Sequence, residues 1–504
     1  MTKNAINIVW FKRDLRIADH APLCAAAACG AVLPLYIVEP DLWALADSSR
    51  RHWCFIHDSL TQLRDDLNAQ GLQLVIHIGN AVDVLQTLRD ELGEFNLWSH
   101  EETGNDWTFK RDLAVADWCK SNSVNWHESP TNGIVRRLGN RDGWAAMRNQ
   151  RMAQPQHALP TIIRPAPPIS STHLPSKNDE LFGQSLQGNV QTGGRTEGLE
   201  ILKSFLKTRA ANYMATISKP GVSARHCSRL SPHLAFGTLS VREVEQATKS
   251  RMAELSESSD PDARHFHKNL SAFLSRLAWR CHFVQKLEQQ PEIEFACMHP
   301  AFEGMREPHH NEQYFDAWKS GQTGYPLVDA CMRSLLANGW INFRMRAMLV
   351  SFASYHLWLD WRRTAPFLAR LFTDYEPGIH YSQFQMQSGV TGINAVRMYN
   401  PIKQSMDQDP EGKFIRRYVP ELAEVPTTFI HEPWRMPIPP NNYPKPIADH
   451  ETAIKHARTE IALRWHGEGF KAAALAVNKK LGSRSKQPKR VKPKPKSAQL
   501  TLDF

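Results

Sequence analysis

The sequence predicts an α/β N-terminal domain, a Rossmann-like doubly wound parallel sheet, followed by an all-helical domain. Three observations carry this. Strand-like runs alternate with helical stretches over residues 1–130, a Pro-, Gly-, Ser- and Asn-rich stretch fills 131–197, and from 198 to 470 apolar residues recur at helical spacing.

The first strand is read in residues 5–10, AINIVW, and Ala18 to Cys29 follow as an alanine-rich helix. Further strand-like runs lie at Val32 to Val38, Gln73 to Ile78, Asn96 to Ser99 and Val124 to His127, separated by helical stretches at 49–69, 80–92 and 105–121. Residues 131–197, with Pro165, Pro167 and Pro168, read as an interdomain connector wrapping over the surface. Residues 198–470 form the helical domain and 471–504 a basic, disordered tail.

Composition narrows the class. The 504 residues allow about three domains, and no apolar run of ~18 residues is present, so no membrane span is expected. The N-terminus enters a strand almost at once, which predicts a cytoplasmic protein without a signal peptide; a monomer is expected. Eight cysteines form no Cys-x-x-Cys pair, so they are read as reduced thiols and no metal site is expected. Net charge is +10, and the tail from Lys479 to Lys496 holds a run of Lys and Arg without an acid, interleaved with prolines. Nucleic acid is the natural partner of such a tail, and a solubilising end is the bland alternative.

The helical part contains the chemistry. Cys227-Ser228-Arg229-Leu230-Ser231-Pro232 reads as a polar elbow between two helices whose hydroxyls and amides suit an anion such as a pyrophosphate. Over residues 263–288 one helix face carries Phe266, Leu270, Phe273, Leu277, Cys281 and Val284, and another carries Arg276, Trp279, Arg280 and Phe283. Interleaved cation and aromatic suit a flipped base and its phosphates; interior packing is the alternative. In residues 321–346, GQTGYPLVDACMRSLLANGWINFRMR, a turn feeds a helix with Asp329 and Arg333 spaced as an ion pair. After Gly339 and Trp340 a second helix carries Arg344 and Arg346 among apolar residues, where snorkelling to water is the simplest reading from spacing alone.

These stretches resemble the cryptochrome/photolyase family. Gly324, Tyr325, Pro326, Val328, Asp329, Ala330, Met332, Arg333, Gly339, Trp340, Arg344 and Arg346 fit its flavin-pocket motif in register, and Trp-Phe-Lys-Arg-Asp-Leu-Arg at 10–16 is similar to its N-terminal signature. The resemblance implies an FAD cofactor held by Tyr213, Ser228, Arg229, Leu230, Ser231, Arg344, Arg346 and Asp374. It implies contact with ultraviolet-damaged DNA through Trp279, Arg280 and Arg397, and photochemistry involving Arg276, Trp279 and Trp361.

The departures from the pattern are specific. Cys227 replaces a threonine, Asn342 and Phe343 stand for His-Asn, Gly378 or Ile379 for the asparagine beside the flavin, and Ser382 for the first relay tryptophan; Trp361 keeps the second. Arg276 replaces the glutamate of repair enzymes, and Trp107 and Thr108 stand where folate-binding relatives have Asn-Glu, which disfavours a folate antenna and leaves a deazaflavin, a flavin or an empty pocket. The expected function is light-driven repair of cyclobutane pyrimidine dimers, with a cryptochrome-type blue-light sensor as the alternative. Finally, Gln499-Leu500-Thr501-Leu502-Asp503-Phe504 resembles the peptides by which bacterial proteins dock on the replication sliding clamp, a match that chance in a tail also produces.

Overall fold

The computed structural model describes residues 6–183, 188–484 and the backbone of 499–501. Five parallel strands, β1 (Ile6–Phe11), β2 (Ala31–Val38), β3 (Val75–Ile78), β4 (Phe95–His100) and β5 (Trp126–Ser129), pair in the order β3-β2-β1-β4-β5. Ile8 sits between Leu33 and Leu97 in register. Every residue of β2 is buried, as expected for an inner strand covered by helices on both faces. All five strands predicted from the sequence form, with the helices Ala21–Cys29, Arg50–Asn68, Ala81–Leu92 and Asp106–Ser121 between them.

The stretch 131–197 contains more structure than its Pro and Gly content suggested. A Pro-free segment forms the helix Trp144–Ala153 and buries Trp144, Arg148 and Met152 at i, i+4, i+8. Further on, Val32 donates to the Arg164 carbonyl at 2.8 Å and Thr172 to that of Ile76 at 2.8 Å, stitching the segment to the sheet edge.

The helical part is centred on the long helix Ala263–Gln289, which packs on Val241–Glu257 and on Pro377–Ser388. Gly378 lets the long helix and Pro377–Ser388 close, because a Cβ there would stand 2.6 Å from Val284 Cα. The expected ion pair Asp329–Arg333 does not form. Asp329 accepts from the Thr323 and Gly324 amides (2.8 and 3.0 Å) and from the Tyr443 hydroxyl (2.6 Å), while Arg333 reaches Glu421 at 2.8 Å. A buried carboxylate that can collect neutral donors and close its own turn has no need of a cation. The tail expected to be disordered from 471 instead continues the fold as the helix Phe470–Leu481, which buries Phe470 and Leu481 against the core. Residues 485–498 lie outside the described residues, as do 502–504 of the clamp-like peptide, and the backbone of Gln499–Thr501 (β7) pairs antiparallel with Arg397–Tyr399 (β6). No described helix is long and apolar enough to cross a membrane.

The two parts meet over an extended surface. Arg13 donates to the carbonyls of Ala235 (3.0 Å) and Tyr375 (2.7 Å), Arg16 to Gly237 (2.8 Å), and His52 Nε2 lies 3.1 Å from both the Ala369 and Phe372 carbonyls. Glu294 accepts from the Asp106 amide at 2.6 Å across the same surface, and burial, reinforced by Asp47 and Asp106, pushes its carboxyl up to about 7. A carboxyl raised in the fold binds more protons there than in the unfolded chain between its ordinary range and pH 7, so its contribution to stability falls as pH rises through that window. Glu294→Gln is therefore expected to match wild type in thermal midpoint near pH 4 and to exceed it increasingly up to pH 7.5; a constant difference would show that Glu294 titrates normally.

Candidate functional site

The elbow predicted at 227–231 is a strained turn. It links the helix Pro220–His226 to Ser231–Ala235, and Arg229 at its centre has φ +62°, a left-handed conformation costing a non-glycine residue about 1–3 kcal/mol. Several contacts hold it there. Leu230 is fully buried, Gln191 exchanges hydrogen bonds with the Arg229 carbonyl (2.9 Å) and guanidinium (3.0 Å), and that guanidinium stacks 4.2 Å over Trp340. Arg209 gathers the carbonyls of Cys227 (2.5 Å) and Ser228 (3.1 Å), while the Leu230 amide donates to Ser228 Oγ at 3.4 Å. Burial pulls the Arg229 guanidinium down to about 10, with Asp374 opposing and Arg346 adding to the shift.

Arg346 and Asp374 face this elbow as a two-bonded fork, at 3.0 and 2.9 Å. Arg346 also donates to the Ile341 carbonyl at 2.9 Å and covers Phe372 at 4.1 Å, so it does not snorkel. Burial alone would raise the Asp374 carboxyl; Arg346, a hydrogen bond from Ser231 and the charge of Arg229 outweigh it and hold the group below its ordinary value. Ser228, Arg229, Ser231, Arg346 and Asp374 are thus brought together. Arg344 stands apart, 3.5 Å from Gln404 Oε1, with its Nε buried and unpaired.

A run of unpaired polar atoms continues from here. On the helix Pro377–Ser388 only Ile379, Gln383 and Met386 are not buried, at i, i+4 and i+7, and they define one face. Yet both amide atoms of Gln383 and Oε1 of Gln387 are out of contact with solvent and lack partners, as does Arg344 Nε. Native interiors rarely leave such groups unsatisfied. FAD, with carbonyls, an imide N–H, hydroxyls and phosphates, supplies both acceptors and donors for them, so the residues fit that cofactor. Sequence reasoning assigned no role to Gln191, Gln383 or Gln387, where only the side-chain chemistry of a glutamine marks them.

Around this set lies an exposed rim. Trp279 is 43% exposed and Phe343 49% exposed. Arg276, also exposed, stands beside the Tyr213 hydroxyl and lies 6.0 Å from the Phe343 ring centroid. Arg280 is expected from the resemblance to face DNA, but its guanidinium is turned inward onto Glu376 (2.5 Å) and the Leu234 carbonyl (2.8 Å), leaving its side chain 9% exposed. An arginine on the helix side facing another element finds a buried carboxylate before it finds a phosphate. Arg397 is exposed on β6, while Asn342 caps the helix Phe343–Ser351 by accepting from Met345 N at 3.0 Å. Trp361 is fully buried at the start of the helix Trp361–Leu371, beneath the Arg362 guanidinium at 4.8 Å.

A second cleft opens beyond the carboxyl ends of β1, β2 and β4, where the strand order reverses and sheets of this kind bind ligands. Lys12, Glu39, Glu102, Thr108 and Arg111 line it. Arg111 bonds Glu39 and Glu102 at 2.6 Å each, and Glu39 keeps one buried oxygen unpaired. Nearby, Asp14, His20 and His100 place their ligand atoms within 4.8 Å of one another. Hydrogen bonding accounts for this cluster without a metal: His20 Nδ1 accepts from Leu23 N at 3.1 Å, so Nε2 carries the proton it donates to Asp14 at 2.9 Å, and His100 Nδ1 donates to the same oxygen at 2.7 Å.

Comparison with known proteins adds two family models: the DNA photolyase domain matches residues 7–140, and the FAD binding domain of DNA photolyase matches 273–462. A deoxyribodipyrimidine photo-lyase of Agrobacterium fabrum is 30% identical over 496 residues, covering 91% of this chain and 98% of that protein. Cryptochrome-1 of Sinapis alba is 29% identical, covering 90% and 95%. The crystal structure of an archaeal photolyase from Sulfolobus tokodaii with two FAD molecules superposes with a TM-score of 0.75 at 27% identity, covering 91% of this chain and all of that one.

Replacing Asp374 by Asn leaves the Arg346 charge without its counter-charge in a largely buried place, at a cost of about 2–3 kcal/mol. The urea midpoint of Asp374→Asn should fall accordingly, and its bound flavin after purification should drop; an unchanged midpoint would place the pair outside the stabilising core.

Proposed function

Because this chain belongs to the cryptochrome/photolyase family, we propose that it is a light-driven DNA repair enzyme, a deoxyribodipyrimidine photolyase that splits cyclobutane pyrimidine dimers with FAD. The observation that carries the reading is the joining of two environments. The buried set around Arg346 and Asp374 leads through Tyr213, near Cys227 and beside Arg276, to the exposed rim of Arg276, Trp279 and Phe343. The Sulfolobus relative is described as holding two FAD molecules, and the cleft beyond β1, β2 and β4 is our place for an antenna pigment in this chain; a folate is disfavoured by Trp107 and Thr108.

When bound and reduced, FAD supplies an electron donor that visible light excites. The chain's own residues do the rest. Trp279 offers an exposed aromatic face on which a base turned out of the duplex can stack. Arg276 holds a permanent positive charge beside it, where negative charge develops on the dimer. Arg280, locked to Glu376 and Leu234, positions the helix against the loop after Asp374 and leaves phosphate contact to other residues.

A second reading is favoured by a specific pair of residues. Arg276 in place of glutamate and Ser382 in place of a tryptophan fit a cryptochrome-type light sensor, and a cryptochrome is among the relatives. Incubating ultraviolet-damaged oligonucleotide with reduced protein under blue light and counting restored pyrimidines separates the two; damaged DNA that is bound and never restored would favour the sensor.

Two variants test the residues. Arg276→Gln should lower repair per absorbed photon at saturating DNA by ~10-fold, a loss of ~1.4 kcal/mol of charge stabilisation, while changing DNA affinity less; lost affinity with intact yield would refute the catalytic role. Trp361→Phe should slow light-driven reduction of the oxidised flavin several-fold, because Ser382 leaves no indole at the first relay position. An unchanged rate would mean that another aromatic carries the electron.

A further inference from the structure

Two cations are buried side by side without a counter-charge, where the connector meets the end of the long helix. Arg141 is 2% exposed and Lys286 4% exposed. Arg141 donates to Gln289 Oε1 at 3.1 Å and to His282 Nδ1, and stacks 4.6 Å over Trp144, so its partners are neutral. The Lys286 ammonium, one turn after His282, has among the described residues no hydrogen bond and no ion pair; its one close partner is the Phe283 ring at 5.5 Å.

The nearby acids are engaged elsewhere. Glu288 accepts from Thr103 at 2.6 Å, and Asp142 is held by Arg484 at 2.8 Å. His282 is no counter-charge: burial, with Lys286 and Arg141 close by, pulls its imidazole down to about 2 and keeps it neutral. The same burial and the charge of Arg141 bring the Lys286 ammonium down to about 8, which leaves it mostly protonated at pH 7.

Elsewhere the chain treats buried cations differently. Arg111, Arg148 and Arg346 meet carboxylates, and Arg16 meets backbone carbonyls. An ammonium with neither, left only a narrow contact with solvent, is poorly compensated, and an anion supplied from outside would complete its surroundings. The last-turn position on the helix Ala263–Gln289 favours a cation through the helix dipole, an effect too small to replace a counter-ion.

We propose that Arg141 and Lys286, with the His282 imidazole between them, bind a phosphate oxyanion, and that its source is a backbone phosphate of the DNA strand. The choice of source rests on the DNA-repair reading above; the site itself does not. The placement supports DNA over free phosphate. His282 and Phe283 pack against exposed Trp279, with centroids 5.4 and 5.5 Å apart, so the site adjoins the rim where a base would stack. Trp279 and Lys286 are seven residues apart on one helix, ~10 Å along its axis, a distance of roughly three base steps of a strand. On the other side, Arg484 leads into the sequence's basic tail.

The test uses the full-length protein with FAD, and Lys286→Met and Lys286→Arg variants. Inorganic phosphate is added at constant ionic strength against chloride while the thermal midpoint is followed. Wild type and Lys286→Arg should rise saturably with phosphate and Lys286→Met should not. In salt titrations of oligonucleotide binding, Lys286→Met should lower the slope of log K against log salt by ~0.9, the loss of one phosphate contact, and weaken binding uniformly across sequences. A phosphate response with an unchanged slope keeps the oxyanion site and overturns DNA as its source. No phosphate response in wild type, together with an unchanged slope, overturns the site. Should Lys286→Met fail to fold, Lys286→Gln replaces it in the same measurements. Failure of the repair reading would appear as absent dimer splitting and would leave the phosphate response untouched.

Discussion

The close approach of two backbones at Gly237 sets the geometry on which the remainder depends. Gly237 has φ +66°, and a Cβ there would lie 2.2 Å from the Arg13 carbonyl oxygen and 2.6 Å from Asp14 Cα. Only glycine lets the turn after the helix Ser231–Ala235 rest directly on the segment following β1. Once it does, Leu15 N reaches the Phe236 carbonyl at 3.1 Å and Arg16 reaches that of Gly237 at 2.8 Å. Asp14 stiffens its side of the contact by accepting from the Lys12 amide and both histidines. The signature after the first strand is therefore a docking device. It fixes the elbow at 228–231 and, through Arg13 and the Tyr375 carbonyl, the loop carrying Asp374.

Strain and charge are placed where that docking makes them affordable. Arg229 is held left-handed by contacts from the connector, from Trp340 and from its neighbours in the elbow, so its cost is spread over several elements. Arg346 and Asp374 form a buried pair whose value lies less in net stability than in fixed direction, since a fork of two hydrogen bonds allows one orientation. The unpaired amide of Gln383 and Oε1 of Gln387 lie on the helix Pro377–Ser388, which begins just after Asp374. Rigid charge beside unsatisfied polar atoms is an arrangement that awaits a ligand of mixed donors and acceptors.

Much of this was legible in the sequence because it was written in periodicity. Continuous apolar runs such as AVLPLYIV mark a strand buried on both faces, and the 3–4 spacing of Phe266 through Val284 marks one face of a long helix. Partner choice was not legible. Asp329 and Arg333 have the right spacing for each other, yet the turn amides and Glu421 win because tertiary neighbours outcompete an exposed i, i+4 pair worth a few tenths of a kcal/mol. Arg280 likewise has a helical phase that leaves open whether Glu376 or solvent awaits it. The Trp144–Ala153 helix was hidden by averaging composition over a long stretch whose ends are rich in Pro and Gly.

The position of Ser382 illustrates how a substitution that reads as a functional loss can be a packing requirement. Gly378 and Ser382 lie one turn apart on the helix Pro377–Ser388, and both face the long helix: Gly378 closes on Val284 and Ser382 Oγ donates to the Phe283 carbonyl at 3.4 Å. Small residues at i and i+4 allow the helix backbones to come together, which keeps Trp279, Arg276 and Arg280 in fixed relation to the open face of Ile379, Gln383 and Met386. An indole at 382 would force the helices apart and disturb that relation. The missing aromatic and the tight helix contact are one fact seen from two sides.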